Sequence, residues 1–185
     1  MSSPPWRKPG AGRASSVPSR PVCRLEPLTA AHRADAFDCG VPALNSYLTR
    51  QALADQRAEK TRTYVTVRGT RILGFFSLAA ASVEPQAATP RLARGQDMQA
   101  IPVILLGRFA VDCQEQGTRL GEAMLVEALR KASAAADTIG ARALLVHAKN
   151  DLARSFYERY GFEPSPTSPL HLMLPMKDIR KSLRA

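Results

Sequence analysis

The segment VILLGRFAVD, residues 103–112, most constrains what this chain can fold into. It is a nearly continuous apolar run bounded by turn signals, the pattern of a central strand buried on both faces. QEQGTRLGEAML follows directly, and from there Leu120, Met124, Leu125, Ala128, Leu129 and Ala132 recur on one face at helical spacing. A buried strand leading into an amphipathic helix needs a sheet with helices packed on it, not a helical bundle.

The flanking segments extend the pattern. CRLEPL reads as a short strand, LTAAHRADAFDCG as an irregular helix broken at Gly40, and PALNSYLTRQALADQRAEK as a stronger helix. In the last, Pro42 suits the first turn, and Leu44, Leu48 and Leu53 form the apolar stripe. TRTYVTVRGTRILGFFSLAAASVE predicts a β-hairpin. PQAATPRLARGQDMQAIP has three prolines and no periodicity, and predicts a long loop of the kind that often carries function. ALLVHA, DLARSFYERYG and LHLMLPM then predict strand, helix and strand. The expected class is α/β (α+β): one domain with a mixed, mostly antiparallel sheet flanked by helices.

A length of 185 residues allows one domain with a real core. The net charge of +10 is concentrated at the ends: residues 1–21 hold four cations and no acid, residues 177–185 four cations and one acid. Residues 1–21, dense in Pro, Ser, Gly and Arg, are expected to be a disordered basic arm, and residues 179–185 a basic tail. Such a balance favours polyanionic partners. Cys23, Cys39 and Cys113 form no CxxC pair, so neither a disulfide framework nor a cysteine zinc site is suggested. No apolar run approaches the roughly 18 residues of a membrane span, and the N-terminus lacks the apolar core of a signal peptide. A soluble cytoplasmic protein that uses no membrane is expected.

Chemistry points to the junction after the apolar strand. The first N–H groups of a helix lack internal partners and carry partial positive charge, so a strand, a Gly-containing turn and a helix start make an anion site. Gln116, Gly117, Thr118, Arg119, Leu120 and Gly121 occupy that junction. GTRLG fits neither the P-loop nor GxGxxG, and Gly-Thr can also open a helix for capping alone.

The neighbouring motifs narrow this. With LGRFAVD before the turn and HAKNDLARSFYERYGFEP after it, the chain resembles the GCN5-related N-acetyltransferase family over roughly residues 22–178. Gln116, Gly121, Asn150, Phe156, Tyr157, Gly161 and Phe162 match its cofactor turn and following helix. FDCGVPALNSYL, IPVILLGRFAVD, ALLVHAKND and FYERYGFEPSPTSPLHLMLPMKD are similar, in order, to acetyltransferase toxins of type II toxin–antitoxin pairs. The resemblance implies acetyl-CoA as co-substrate and no metal. It implies aminoacyl-tRNA as acceptor with arrested translation, a small DNA-binding antitoxin as partner, and a homodimer. Two other readings stay open: an acetyltransferase for a small amine or protein N-terminus, and a non-catalytic nucleic-acid- or antitoxin-binding protein.

Site residues follow from the same resemblance. Backbone at Phe109 and Val111, the turn Gln116, Gly117, Thr118, Arg119, Leu120, Gly121 and Glu122, and Asn150 are implied to hold the cofactor. Tyr157 is implied to protonate the coenzyme A sulfur. Arg119 stands where the family usually has glycine: in a left-handed slot it would cost about 1–2 kcal/mol, and in a right-handed one it adds a phosphate-pairing guanidinium. The right-handed reading is expected, because helix starts are ordinarily αR. Arg50, Arg57, Lys60 and Arg62, with Arg91 and Arg94, are candidates for nucleic acid, although Asp55 and Glu59 interrupt the first group. An α-amino group near pKa 7.7 is about one-sixth unprotonated at pH 7, against roughly one in 2,500 for lysine; an aminoacyl ester therefore needs no dedicated base. His147 is expected to be a satisfied strand histidine rather than a base. His32 and His171 have no metal spacing. Asp112 and Glu115 are expected to be solvated and outside the site.

Overall fold

The computed structural model describes residues 23–95 and 99–184; the expected basic arm at 1–21 lies outside them. Seven strands form one mixed sheet in the order β1-β2-β3-β4-β5-β7-β6. They are β1 (Arg24–Pro27), β2 (Arg62–Arg68), β3 (Arg71–Val83), β4 (Ile101–Val111), β5 (Ala143–His147), β6 (Glu163–Pro164) and β7 (His171–Pro175). β4 and β5 run parallel, while β1–β2, β5–β7 and β6–β7 are antiparallel. The helices are α1 (Pro42–Ser46), α2 (Ala52–Arg57), α3 (Pro90–Ala93), α4 (Leu120–Ile139), α5 (Asp151–Arg159) and α6 (Met176–Arg184). A π-helical segment, Tyr47–Gln51, joins α1 to α2.

Two compact units divide the chain. One comprises residues 23–77 and 108–125 among those described. Its core gathers Leu28, Phe37, Tyr47, Leu48, Val65, Val67, Ile72, Phe75 and Ala110, with Phe37 edge-on to Phe75 at 5.5 Å. Gly74 on β3 is required here, since a Cβ would lie 2.5 Å from Met124 Sδ and 2.9 Å from the Ala110 carbonyl. The other unit comprises residues 78–95, 99–107 and 126–184, around Val83, Leu92, Ile101, Val103, Ala143, Leu145 and Met173.

Three segments depart from the expected elements. LTAAHRADAFDCG forms turns and one isolated bridge, Arg33 to Arg71, instead of a helix. Its polar side chains satisfy local backbone: Thr29 N–H donates to His32 Nδ1 at 2.9 Å and Gly40 N–H to Asp38 Oδ1 at 2.8 Å, which competes with helical bonding. In the expected loop 85–102, Pro85 and Pro90 each open a short helical turn, a position proline favours because its missing N–H is not needed there. Residues 179–184, expected as tail, continue α6, which buries Met176 and Ile179.

Candidate active site

β4 delivers Phe109 and Val111, both half-buried, to the strand end. The turn that follows is held from several sides. Asp112 Oδ1 accepts from Gln114 N–H at 3.0 Å and from Arg71 at 2.8 Å. Arg68 grips Glu115 through two bonds, 2.8 and 3.3 Å. Both acids are buried, at 3% and 5% exposure, which corrects the expectation that they are solvated. Burial of a carboxylate is tolerated because each has a guanidinium and hydrogen bonds. Their place is beneath the turn, shaping it.

Gln116 Nε2 donates to the Val111 carbonyl at 3.0 Å and the Cys39 carbonyl at 3.3 Å. Its side chain thus ties the turn to the end of β4 and to the 38–41 loop. Thr118 Oγ1 donates to the Glu115 carbonyl at 2.6 Å. Gly117 has φ +78° and Arg119 φ +66°. The right-handed conformation expected of Arg119 is therefore wrong: the slot is left-handed, and arginine occupies a glycine conformation. Its side chain is exposed, with no ion pair among the described residues.

The first helical bond runs from Ala123 N–H to the Arg119 carbonyl, 3.2 Å. The N–H groups of Leu120, Gly121 and Glu122 precede it and have no partner among the described residues, so three donors at the positive end of a 20-residue helix remain open. A Cβ on Gly121 would meet only Val111 at 3.7 Å. The protein itself therefore does not demand glycine there; a closely approaching ligand would.

Asn150 and Tyr157 belong to the other unit. Asn150 caps α5, its Oδ1 accepting from Ala153 N–H at 3.0 Å. Tyr157 is buried, 7% exposed, with its ring 5.3 Å from those of Phe156 and Phe162. Burial holds its phenol above the ordinary range, so the proton stays on at any physiological pH. His147 is exposed and stacks on its cross-strand partner His171, centroids 4.0 Å apart. Desolvation and the neighbouring ring both lower its pKa.

Of the basic candidates, Arg50, Arg57, Lys60 and Arg62 are exposed, and Lys60 lies 3.6 Å from Asp55. Arg91 is occupied: it bridges Glu163 at 2.5 Å and Asp178 at 2.7 Å. It lines, with Arg94, a cavity of about 460 Å³ to which Arg142, Lys177 and Arg180 also contribute. Sequence reasoning singles out none of those last three for nucleic acid: Arg142 lies just before β5, while Lys177 and Arg180 share α6, whose cations read only as part of a basic C-terminal end. Arg108 escaped sequence reasoning too, although the one charge inside an apolar run was a visible signal. Among the described residues, no group of three His, Cys, Asp or Glu is placed to hold a metal, and no helix is long and apolar enough to cross a membrane.

A sheet whose parallel strand ends in an open-donor turn at a helix start defines a class: an α/β fold with a place suited to an anion. Residues 33–171 match the model of the acetyltransferase (GNAT) domain, and the chain belongs to that family of acetyltransferases. A Mycobacterium tuberculosis (H37Rv) protein named tRNA-acetylating toxin is 48% identical over 145 residues, covering 78% of this chain and 87% of that one. The structure of AtaT complexed with acetyl-methionyl-tRNAfMet superposes with TM-score 0.81 at 29% identity, covering 86% of this chain and 98% of that one. A tyrosine-to-phenylalanine mutant of AtaT bound to the C-terminus of the antitoxin AtaR and acetyl-CoA gives TM-score 0.76 at 28% identity, covering 89% and 99%.

Proposed function

We propose that this chain is a toxin that uses acetyl-CoA to acetylate the α-amino group of aminoacyl-tRNA and so stops translation. The observation that carries the cofactor half is the set of open N–H groups at Leu120, Gly121 and Glu122; these suit a pyrophosphate, with Gly117 and Thr118 shaping the approach and Arg119 adding charge. The similarity to a tRNA-acetylating toxin over most of both chains supports the acceptor half.

Acetyl-CoA supplies the acetyl group and a thiolate leaving group. Backbone N–H on β4 between Phe109 and Val111 stabilises the oxyanion that forms as the amine nitrogen bonds to the thioester carbon. Tyr157 gives its proton to the sulfur as the C–S bond breaks, and the proton lost by the new amide nitrogen passes to solvent. Burial keeps Tyr157 protonated until that moment. No residue is assigned as base, since an α-amino group is substantially neutral near pH 7. Asn150 caps the start of α5 through its Oδ1, and its amide nitrogen is left to the cofactor.

For the tRNA, the exposed Arg50, Arg57, Lys60 and Arg62, together with Arg94 beside the Arg91 bridges, supply phosphate contacts. A small DNA-binding antitoxin and a second copy of the chain complete the assembly, which works in the cytoplasm where charged tRNA is found. Purified protein, acetyl-CoA and charged tRNA in a translation reaction test the reading. Acetylated aminoacyl-tRNA with lost peptide synthesis is the expected result; normal synthesis and no acetylated product refute it.

A further inference from the structure

Arg108 lies inside the apolar run of β4, and no described residue pairs with its guanidinium through an ion pair or hydrogen bond. The side chain is half-buried, its Cζ sits 4.0 Å from the Tyr47 ring centroid, and it makes no ion pair or hydrogen bond among the described residues. None of its nitrogens is among the buried unpaired atoms, so water reaches the guanidinium and an incoming anion can take the water's place.

Its setting is rigid. Tyr47 is 3% exposed, stacks on Phe75 at 6.2 Å and places its hydroxyl 3.3 Å from Thr61 Oγ1. It opens the π-helical segment Tyr47–Gln51, a widened turn of a kind that recurs at functional sites. The ring contact holds Cζ in place, and the guanidinium N–H groups, without an acceptor among the described residues, can donate as a planar fork. Such a fork matches two oxygens of a phosphate or carboxylate.

We infer that Arg108 binds a phosphodiester of the acceptor, beside the nucleotide that bears the reactive amine. This rests on the acceptor proposed above. Arg108 adjoins Phe109, whose backbone is assigned to the reacting carbonyl, so whatever Arg108 grips lies close to the acceptor end. The carboxyl of an aminoacyl ester is consumed in the ester bond, which leaves phosphate as the anion that such an acceptor carries. Cofactor phosphate is the other source of the same chemistry, and the 116–122 turn is already assigned to it.

Three measurements on Arg108→Ala and Arg108→Lys test this. For Arg108→Ala, KM for aminoacyl-tRNA should rise about 10-fold or more, the loss expected for a charged hydrogen-bond pair. The slope of log affinity for uncharged tRNA against log salt should flatten by about one. The dissociation constant for acetyl-CoA should move less than about 3-fold, a criterion set well inside the loss expected for one charged contact. Arg108→Lys should keep the slope and recover only part of the KM, because one ammonium replaces a planar fork. Acetyl-CoA affinity falling by 10-fold with an unchanged salt slope would assign the contact to the cofactor and overturn the inference, as would unchanged KM and slope. Wild-type protein that acetylates no charged tRNA refutes the proposed acceptor instead; uncharged-tRNA slopes then still read the Arg108 contact.

Discussion

Replacing Arg119 by glycine separates two opposing effects at one position. With φ +66°, the arginine pays the left-handed penalty of about 1–2 kcal/mol that glycine avoids. Glycine gives back about 0.5–1 kcal/mol through the greater freedom of the unfolded chain. The net expectation is a gain of about 0.5–1 kcal/mol without ligand, or a melting temperature higher by about 1–4 °C for a chain of this size. Affinity for acetyl-CoA should move the other way: if the exposed guanidinium pairs with a phosphate, its loss weakens binding by about 10-fold. Arg119→Ala is the control, since its Cβ keeps the strain while the charge is gone; it should bind as weakly as the glycine variant with no gain in stability. Urea unfolding and titration calorimetry read the two quantities independently. A glycine variant less stable than wild type would refute the strain argument, and unchanged affinity in both variants would make the arginine a bystander.

Tyr157→Phe should bind acetyl-CoA with near wild-type affinity and lose turnover by about 100-fold, the scale of positioned proton transfer; unchanged kcat would remove Tyr157 from the mechanism. The pH profile of kcat/KM should rise through about 7–8 as the acceptor amine deprotonates and then stay flat to pH 10, because burial raises Tyr157 beyond that range; a descending limb below pH 9 would contradict it. Arg68→Met takes the guanidinium away from the buried Glu115 carboxylate, 5% exposed, and should cost about 3 kcal/mol in urea unfolding. The double variant Arg68→Met, Glu115→Leu should recover most of it. The lowered pKa of His147 means the unfolded chain binds its proton first; stability present above about pH 6.5 should decline as pH falls below it, and His147→Gln should reduce that decline.

What was legible in the sequence is what is local. The run at β4 and the stripe from Leu120 to Ala132 each state their own period, and the structure follows them. LTAAHRADAFDCG fails as a helix because Asp38 and His32 have nearer uses for their hydrogen bonds; α6 passes for a tail because only Met176 and Ile179 anchor seven other residues. The site divides the same way. The turn can be read from its glycines, but the pairs beneath it, Arg68 with Glu115 and Arg71 with Asp112, join residues 47 and 41 positions apart, and no spacing rule reaches that far. Arg119 is the instructive case. A helix start is ordinarily right-handed, so an arginine there looked free of strain, yet the same arginine in a glycine's conformation is costly and persists. Strain held at a ligand turn is explained when the side chain that causes it also serves the ligand, and that link between backbone and phosphate is what the glycine and alanine variants measure.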